Sequence, residues 1–330
     1  MKTLTRFLLA MCLLALDSTL IHANDPHQEF SITKNPNGIW SYGSSDTLGG
    51  PFTPYPTAYA NYLAVQGSDI WTLAPGICSD GRTPHVGRIQ EQLFVGLVPV
   101  PSDTLLVHPG CNGQYTILRW TASVPGMYQV RGNFAGLVGQ VSTTDVHIFL
   151  NGTSIFDQEL KGPGDAALFN VQQQVPGGDT IDFAIGFGSD GNYFGDSTGL
   201  QLTVDLLPAI DIKPGDSANK VHIRLPGNVA VAILSSASFN APAMVMKNSL
   251  TFGRIGDEHS LVFKPDRFDS RLLVPVCNTR DINSDGLKDL VCQFNKQQAG
   301  FQFTDKVGVV RGKIGPGVTI KGTDSVMIVK

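Results

Sequence analysis

Between positions 115 and 207 apolar and polar residues alternate in short runs with a period of two. "YTILRWTA" (115–122) and "GMYQVRGNF" (126–134) are joined by "SVPG", whose Pro and Gly are placed for a turn. "TTDVHIFLNG" (143–152) alternates and ends in Asn151-Gly152, a strong hairpin signal, with "TSIFDQEL" as the return strand. "GGDTIDFAIGFG" (177–188) and "LQLTVDLL" (200–207) follow the same rule. Alternation puts successive side chains on opposite faces, so each run predicts a strand with one buried face. Few stretches carry helical periodicity. Many strands, turns between them and no intervening helices predict an antiparallel sandwich, within that class a jelly roll.

The pattern breaks near "LLPAIDIKPGDS", where Pro208, Pro214 and Gly215 interrupt regular structure. "VHIRLPGNVAVAIL" then opens a new series of strands. The reading is therefore all-β. A jelly-roll-like antiparallel sandwich over 30–206 precedes a smaller β-sandwich over 210–330, with a linker at 206–212.

Composition agrees, with 36 Gly and 20 Pro spread along the chain. Acidic residues are lopsided, 24 Asp against 4 Glu, and Asp is the residue of turns and metal loops. A net charge of −4 without a basic block argues against a nucleic-acid partner. Lys2, Arg6 and the apolar run at 7–16 read as a signal peptide (1–23) cleaved near Ala23, with no later membrane span. The expected location is periplasmic or extracellular. Four cysteines follow the leader, and an even number in an exported chain predicts disulfides. Of the three pairings open to them, proximity favours Cys78–Cys111 and Cys277–Cys292.

"RDINSDGLKDLVC" (280–292) places Asp281, Asn283, Asp285 and Asp289 in D-x-N-x-D-G-x-x-D spacing. An EF-hand needs a bidentate Glu at its twelfth position, where this chain has Cys292. The flanks, "RLLVPVC" and "DLVCQF", are β-like, so helix–loop–helix is the wrong scaffold.

Several motifs carry a resemblance. "NPNGIWSYG", "VHPG", "LRWTASVPGMYQVRGNF", "TTDVHIFLNGTSIF" and "GDTIDFAIGFGSDGNYFGDSTGL" resemble a module of bacterial exported proteins found in planctomycetes and beside PEP-CTERM sorting signals. The resemblance spans most of 35–205 and implies a carbohydrate-binding-like jelly roll. The chain departs from it in ending at "SVMIVK", without an apolar helix and basic tail. Residues 210–330 resemble a second exported bacterial β module. The loop at 281–289 is similar to the strand–loop–strand calcium loops of FG-GAP repeats, whose last carboxylate arrives at position nine. That likeness implies Ca²⁺ held by Asp281, Asn283, Asp285, the Leu287 carbonyl and Asp289, with Gly286 permitting the turn. The ion is expected to be structural.

No H-E-x-x-H occurs, and the chain is read as non-catalytic. His147, within "DVHIFL", is expected to be a packed or hydrogen-bonded strand residue. Tyr55, Tyr59, Tyr62 and Trp71 lie in a Gly/Pro-rich segment, where they either stack on sugar C–H faces or close the end of the sandwich. Trp40 and Trp120 are expected in the core. Asp190, Asn192 and Asp196 in "GSDGNYFGDST" form a second acidic group, for a calcium ion, a sugar hydroxyl or a plain turn. The expected function is binding of a polysaccharide or cell-surface glycan. The alternatives are a structural or adhesive surface protein and, more weakly, a polysaccharide-active enzyme.

Overall fold

The computed structural model describes residues 25–74, 76–79, 82–89, 93–95, 98–100, 102–137, 142–315 and 317–330. The expected signal peptide lies outside the described residues. The architecture is almost entirely β, with one α-helix of a single turn, Ala241–Met244, and two short 3₁₀ turns among the described residues.

The first half is an antiparallel sandwich. One sheet orders the strands Thr153–Leu160, Thr144–Leu150, Thr180–Ile185, Tyr115–Thr121, Trp40–Ser45 and Thr53–Pro54. The facing sheet runs from Ala166–Val175 through Gly126–Gly136, Thr198–Leu206, Leu105–His108, His85–Arg88 and Asp69–Thr72 to Thr57–Tyr59. The alternation seen in sequence sets the burial. Tyr128, Val130 and Phe134 point inward from one strand, and Leu118 and Trp120 oppose them from the other sheet. Asn151 (φ 49°) and Gly152 (φ 80°) make the expected tight turn, for which both residues need left-handed backbone.

Trp40 and Trp120 are register partners and fully buried. Trp120 meets Tyr128 edge-on across the sandwich at 4.7 Å. Each indole hides on the order of 200 Å², or ~5 kcal/mol of transfer free energy at 25 cal/mol per Å². These rings hold the two sheets together.

In the second half a sheet of Ile210–Ile212, Asn228–Ile233, Asp289–Asn295 and Cys277–Arg280 is one layer. Thr251–Gly253, Val307–Lys313 and Thr319–Ser325 form another run of strands. That run does not stand apart from the first half. Thr319–Ser325 pairs in parallel with Thr198–Leu206, so the two halves share a ten-stranded sheet. One apolar core continues through Leu206, Ile210, Phe252, Phe294 and Ile320. The expected linker is correspondingly short: the first half's last strand ends at Leu206 and the next begins at Ile210.

Both expected disulfides form. Cys78 bonds Cys111, and Cys277 bonds Cys292. The latter two are also direct register partners across adjacent strands.

Candidate functional site

The aromatic segment divides between core and surface. Tyr55 is 2% exposed, and its hydroxyl bonds with the Thr116 hydroxyl at 2.8 Å. Trp71 is 7% exposed, and its Nε1 donates to the Ser31 carbonyl. Neither ring can offer a face to a sugar, so both take the packing role. Tyr59 and Tyr62 are half-buried beneath the Arg82 guanidinium, which sits 5.2 and 5.5 Å from their ring centroids. Tyr62 also packs on the small cluster of Ile89, Leu106 and Leu137.

The acidic group at 190–196 also separates. Asp190 and Asn192 are exposed turn residues. Asp190 accepts hydrogen bonds from the Thr143 and Asn192 backbone N–H groups, and Asn192 accepts from Phe194 N–H. Asp196 is fully buried instead, and neither carboxylate oxygen has a hydrogen-bond partner. Burial first, and then the negative charge of Asp190, push its carboxyl up to about 8.

The loop at 281–289 is folded back on itself by its own side chains. Asp281 Oδ2 accepts from Gly286 N–H at 3.0 Å, and Asp285 Oδ1 accepts from Leu287 N–H at 2.8 Å. Asn283 Oδ1 accepts from Asp285 N–H, and its amide donates to Asp285 Oδ2. Gly286 takes φ 88°, a conformation other residues rarely adopt. Asp289 is fully buried, accepting from Ser235 N–H and Ile282 N–H at 2.8 Å each. It thereby ties the loop to the segment that follows the strand Asn228–Ile233. Among the described residues no three His, Cys, Asp or Glu side chains converge on one point as a metal cluster. Asp281 Oδ1, however, is buried without a partner, as an oxygen awaiting a cation would be. The donor set, carboxylate and amide oxygens around a tight turn, suits calcium chemistry.

A chain of hydrogen bonds lies on the first half's other sheet. Tyr115 donates to Asp145, and the two ring nitrogens of His147 meet Asp145 (2.9 Å) and Asp157 (2.6 Å). Two carboxylates facing the two ring nitrogens favour the imidazolium form. Despite burial, the hydrogen bonds and charges of Asp145 and Asp157 raise the pKa of His147 above the usual histidine range. This is a paired strand residue, as expected.

One recess was not anticipated from sequence. It is a groove of about 560 Å³ on the outer face of the strands Ala166–Val175, Gly126–Gly136 and Thr198–Leu206. Strand register assembles it in two rows. Leu168, Asn133 and Gln201 stand side by side across three strands, and Asn170, Arg131 and Thr203 form the next row. Asp25 and Asp103 lie at its edge. Arg131 Nε donates to Thr203 Oγ1 at 3.0 Å, and a terminal nitrogen lies 3.9 Å from Asp205. Asn170 accepts from the Gln129 amide, which fixes its orientation. Leu168 is 80% exposed, an apolar side chain standing among polar ones. Between the rows Gly132 is obligatory: a Cβ there would lie 2.0 Å from the Gln201 carbonyl oxygen. The signal in sequence is the outward face of "QVRGNF" and "LFNVQQQ", built from amides and Arg where a plain solvent face carries Lys and Glu.

No family model and no curated protein matches this chain. Among solved structures it is similar to CBM51 from Clostridium perfringens GH95 in complex with methyl-galactose, at 14% identity and TM-score 0.27, over 46% of this chain and 94% of that one. It is also similar to a family 35 carbohydrate-binding module from Clostridium thermocellum, at 14% identity and TM-score 0.22, over 45% of this chain and 89% of the other. A third is the enzymatically active domain of tailspike protein 4 from bacteriophage CBA120, at 8% identity and TM-score 0.27, over 57% and 21%.

Proposed function

We propose that the chain is an exported, non-catalytic glycan-binding protein whose site is the groove over Arg131, Asn133, Asn170 and Gln201. The observation that carries this reading is the convergence of amide, guanidinium and hydroxyl groups from three adjacent strands on one open recess. Amides both donate and accept, so they match the vicinal hydroxyls of a sugar. Leu168 supplies apolar contact for a C–H face. The single guanidinium in the groove is engaged by Thr203 and Asp205, and two carboxylates stand at the edge, so a neutral glycan suits the groove better than an acidic one. Rigid strands hold the groups in register, which lowers the ordering cost of binding. Two disulfides suit an oxidising, exported setting, and no helix among the described residues is long and apolar enough to cross a membrane.

The loop at 281–289 is the structural calcium site in this proposal, with Asp281, Asn283, Asp285 and the Leu287 carbonyl as ligands. Asp289 joins through the lone pairs its two N–H partners leave free. The ion would neutralise the clustered carboxylates and stiffen the second half.

The direct test is a panel of neutral oligosaccharides and polysaccharides against wild type and Asn133→Ala/Asn170→Ala. Saturable binding weakened about tenfold or more in the variant supports the groove, since each hydrogen bond is worth ~1 kcal/mol. A blank panel from folded protein, or equal binding by both, overturns it.

A structural or adhesive role is the second reading. The hairpin Phe263–Pro265/Leu273–Pro275 pairs with no other strand among the described residues and exposes Phe268 (91%), Leu272 and Leu273. Concentration-dependent self-association lost in Phe268→Ser would favour it.

A further inference from the structure

We propose that residues 186–197 close a second cation site, for a hard divalent ion of the calcium class, with the Asp196 carboxylate as its anionic ligand. The site is separate from both the groove and the loop at 281–289.

Asp196 has no exposed surface, and both of its carboxylate oxygens lack a hydrogen-bond partner among the described residues. A buried carboxyl with neither oxygen paired is rare in a folded chain and calls for an occupant. The surroundings indicate which kind. The hydroxyls of Ser142 and Thr144 face Asp196, and Ser142 already gives its proton to the Gly195 carbonyl at 3.1 Å. The charged groups acting on Asp196 most strongly are Asp190 and Asp145, both anions. Oxygen atoms with excess negative charge suit a hard cation and offer nothing to an anion.

The backbone fixes this geometry. Thr143 N–H donates to Asp190, and Asp190 N–H donates to the Thr143 hydroxyl, clamping the loop onto the segment before the strand Thr144–Leu150. Gly188 (φ +64°) packs so closely that a Cβ would stand 2.6 Å from the Thr143 backbone. The carboxylates of the loop do not themselves converge as a cluster of three. Asp196 would thus be the principal anion, with hydroxyl, carbonyl and water oxygens completing the six to eight a calcium ion takes.

Terbium, a hard oxygen-seeking ion, separates this site from the other loop. All seven Tyr and three Trp lie at or before position 193. Tyr193 is therefore three residues from Asp196, whereas the half holding Asp281–Asp289 has no Tyr or Trp. Tyrosine-sensitised terbium emission from the full mature chain is expected to saturate and to be competed away by calcium. Asp196→Asn should cut the affinity by at least about tenfold, and Asp285→Ala should leave the emission intact. Absence of sensitised emission from folded wild type overturns the proposal, as does emission indifferent to Asp196→Asn or abolished by Asp285→Ala. If Asp196→Asn does not fold, the near-isosteric Thr144→Val decides: weakened terbium affinity supports the site, and unchanged affinity overturns it.

Discussion

Thr319 Oγ1 donates a 2.7 Å hydrogen bond to Asp205 Oδ1, and both side chains are buried. The two residues are register partners where the halves of the molecule meet in parallel. Asp205 also stands 3.9 Å from the Arg131 guanidinium in the groove. The joint between the halves and the proposed glycan site therefore share one carboxylate. Thr319→Val keeps the side-chain shape but strips Asp205 of this donor. A loss of about 1–3 kcal/mol is expected, in a single cooperative transition, because sheet and core are continuous. Two separate melting steps in wild type would contradict the shared core.

The Cys277–Cys292 bridge closes a 15-residue loop around the proposed calcium ligands. In the chain-entropy description that closure is worth about 3 kcal/mol. Cys277→Ala/Cys292→Ala should lose most of this in denaturant unfolding. A loss far below 1 kcal/mol would mean that the hairpin is held by its strands alone.

Calcium should raise the melting temperature, and chelator should lower it. An ion at 100-fold excess over its Kd adds about 2.7 kcal/mol. Asp285→Ala is expected to remove a large share of the chelator effect. The remainder belongs to Asp196, so Asp285→Ala combined with Asp196→Asn should melt identically with and without calcium. Identical melting of wild type in calcium and in chelator removes the support for both ions.

His147 sets an alkaline limit. It is faced by Asp145, Asp157 and, through Asp145, by Tyr115. Its folded pKa is raised above the unfolded value of about 6.5. The stability it contributes is therefore fully present below about 6.5 and lost as pH rises through the folded pKa. Wild type should weaken across that alkaline step, and His147→Gln should flatten it. The same pH profile in both proteins would assign the step to another group.

Local chemistry made part of this legible in sequence. Asn151-Gly152 can be read as a turn because its backbone conformation is written in two adjacent residues. The disulfides followed from proximity, and Trp40 and Trp120 from strand context. The shared sheet was not legible, since parallel pairing of Thr319 with Asp205 joins segments more than 100 residues apart and leaves no local mark. The groove failed to appear for a related reason. Leu168, Asn133 and Gln201 become neighbours only through register, and register across three strands is a tertiary property. Tyr55 and Trp71 could be read either way because Gly and Pro around them signal a loop, while burial is decided by what packs above.

The most direct measurement is a titration of soluble neutral oligosaccharides into isotope-labelled mature protein, following the side-chain amide resonances by NMR. Saturable shifts at Asn133, Asn170 and Gln201, with those of Asn283 and Asn295 unmoved, are the expected result. Saturable binding that leaves the three groove amides still, or no shift with any sugar, would contradict glycan recognition by this face.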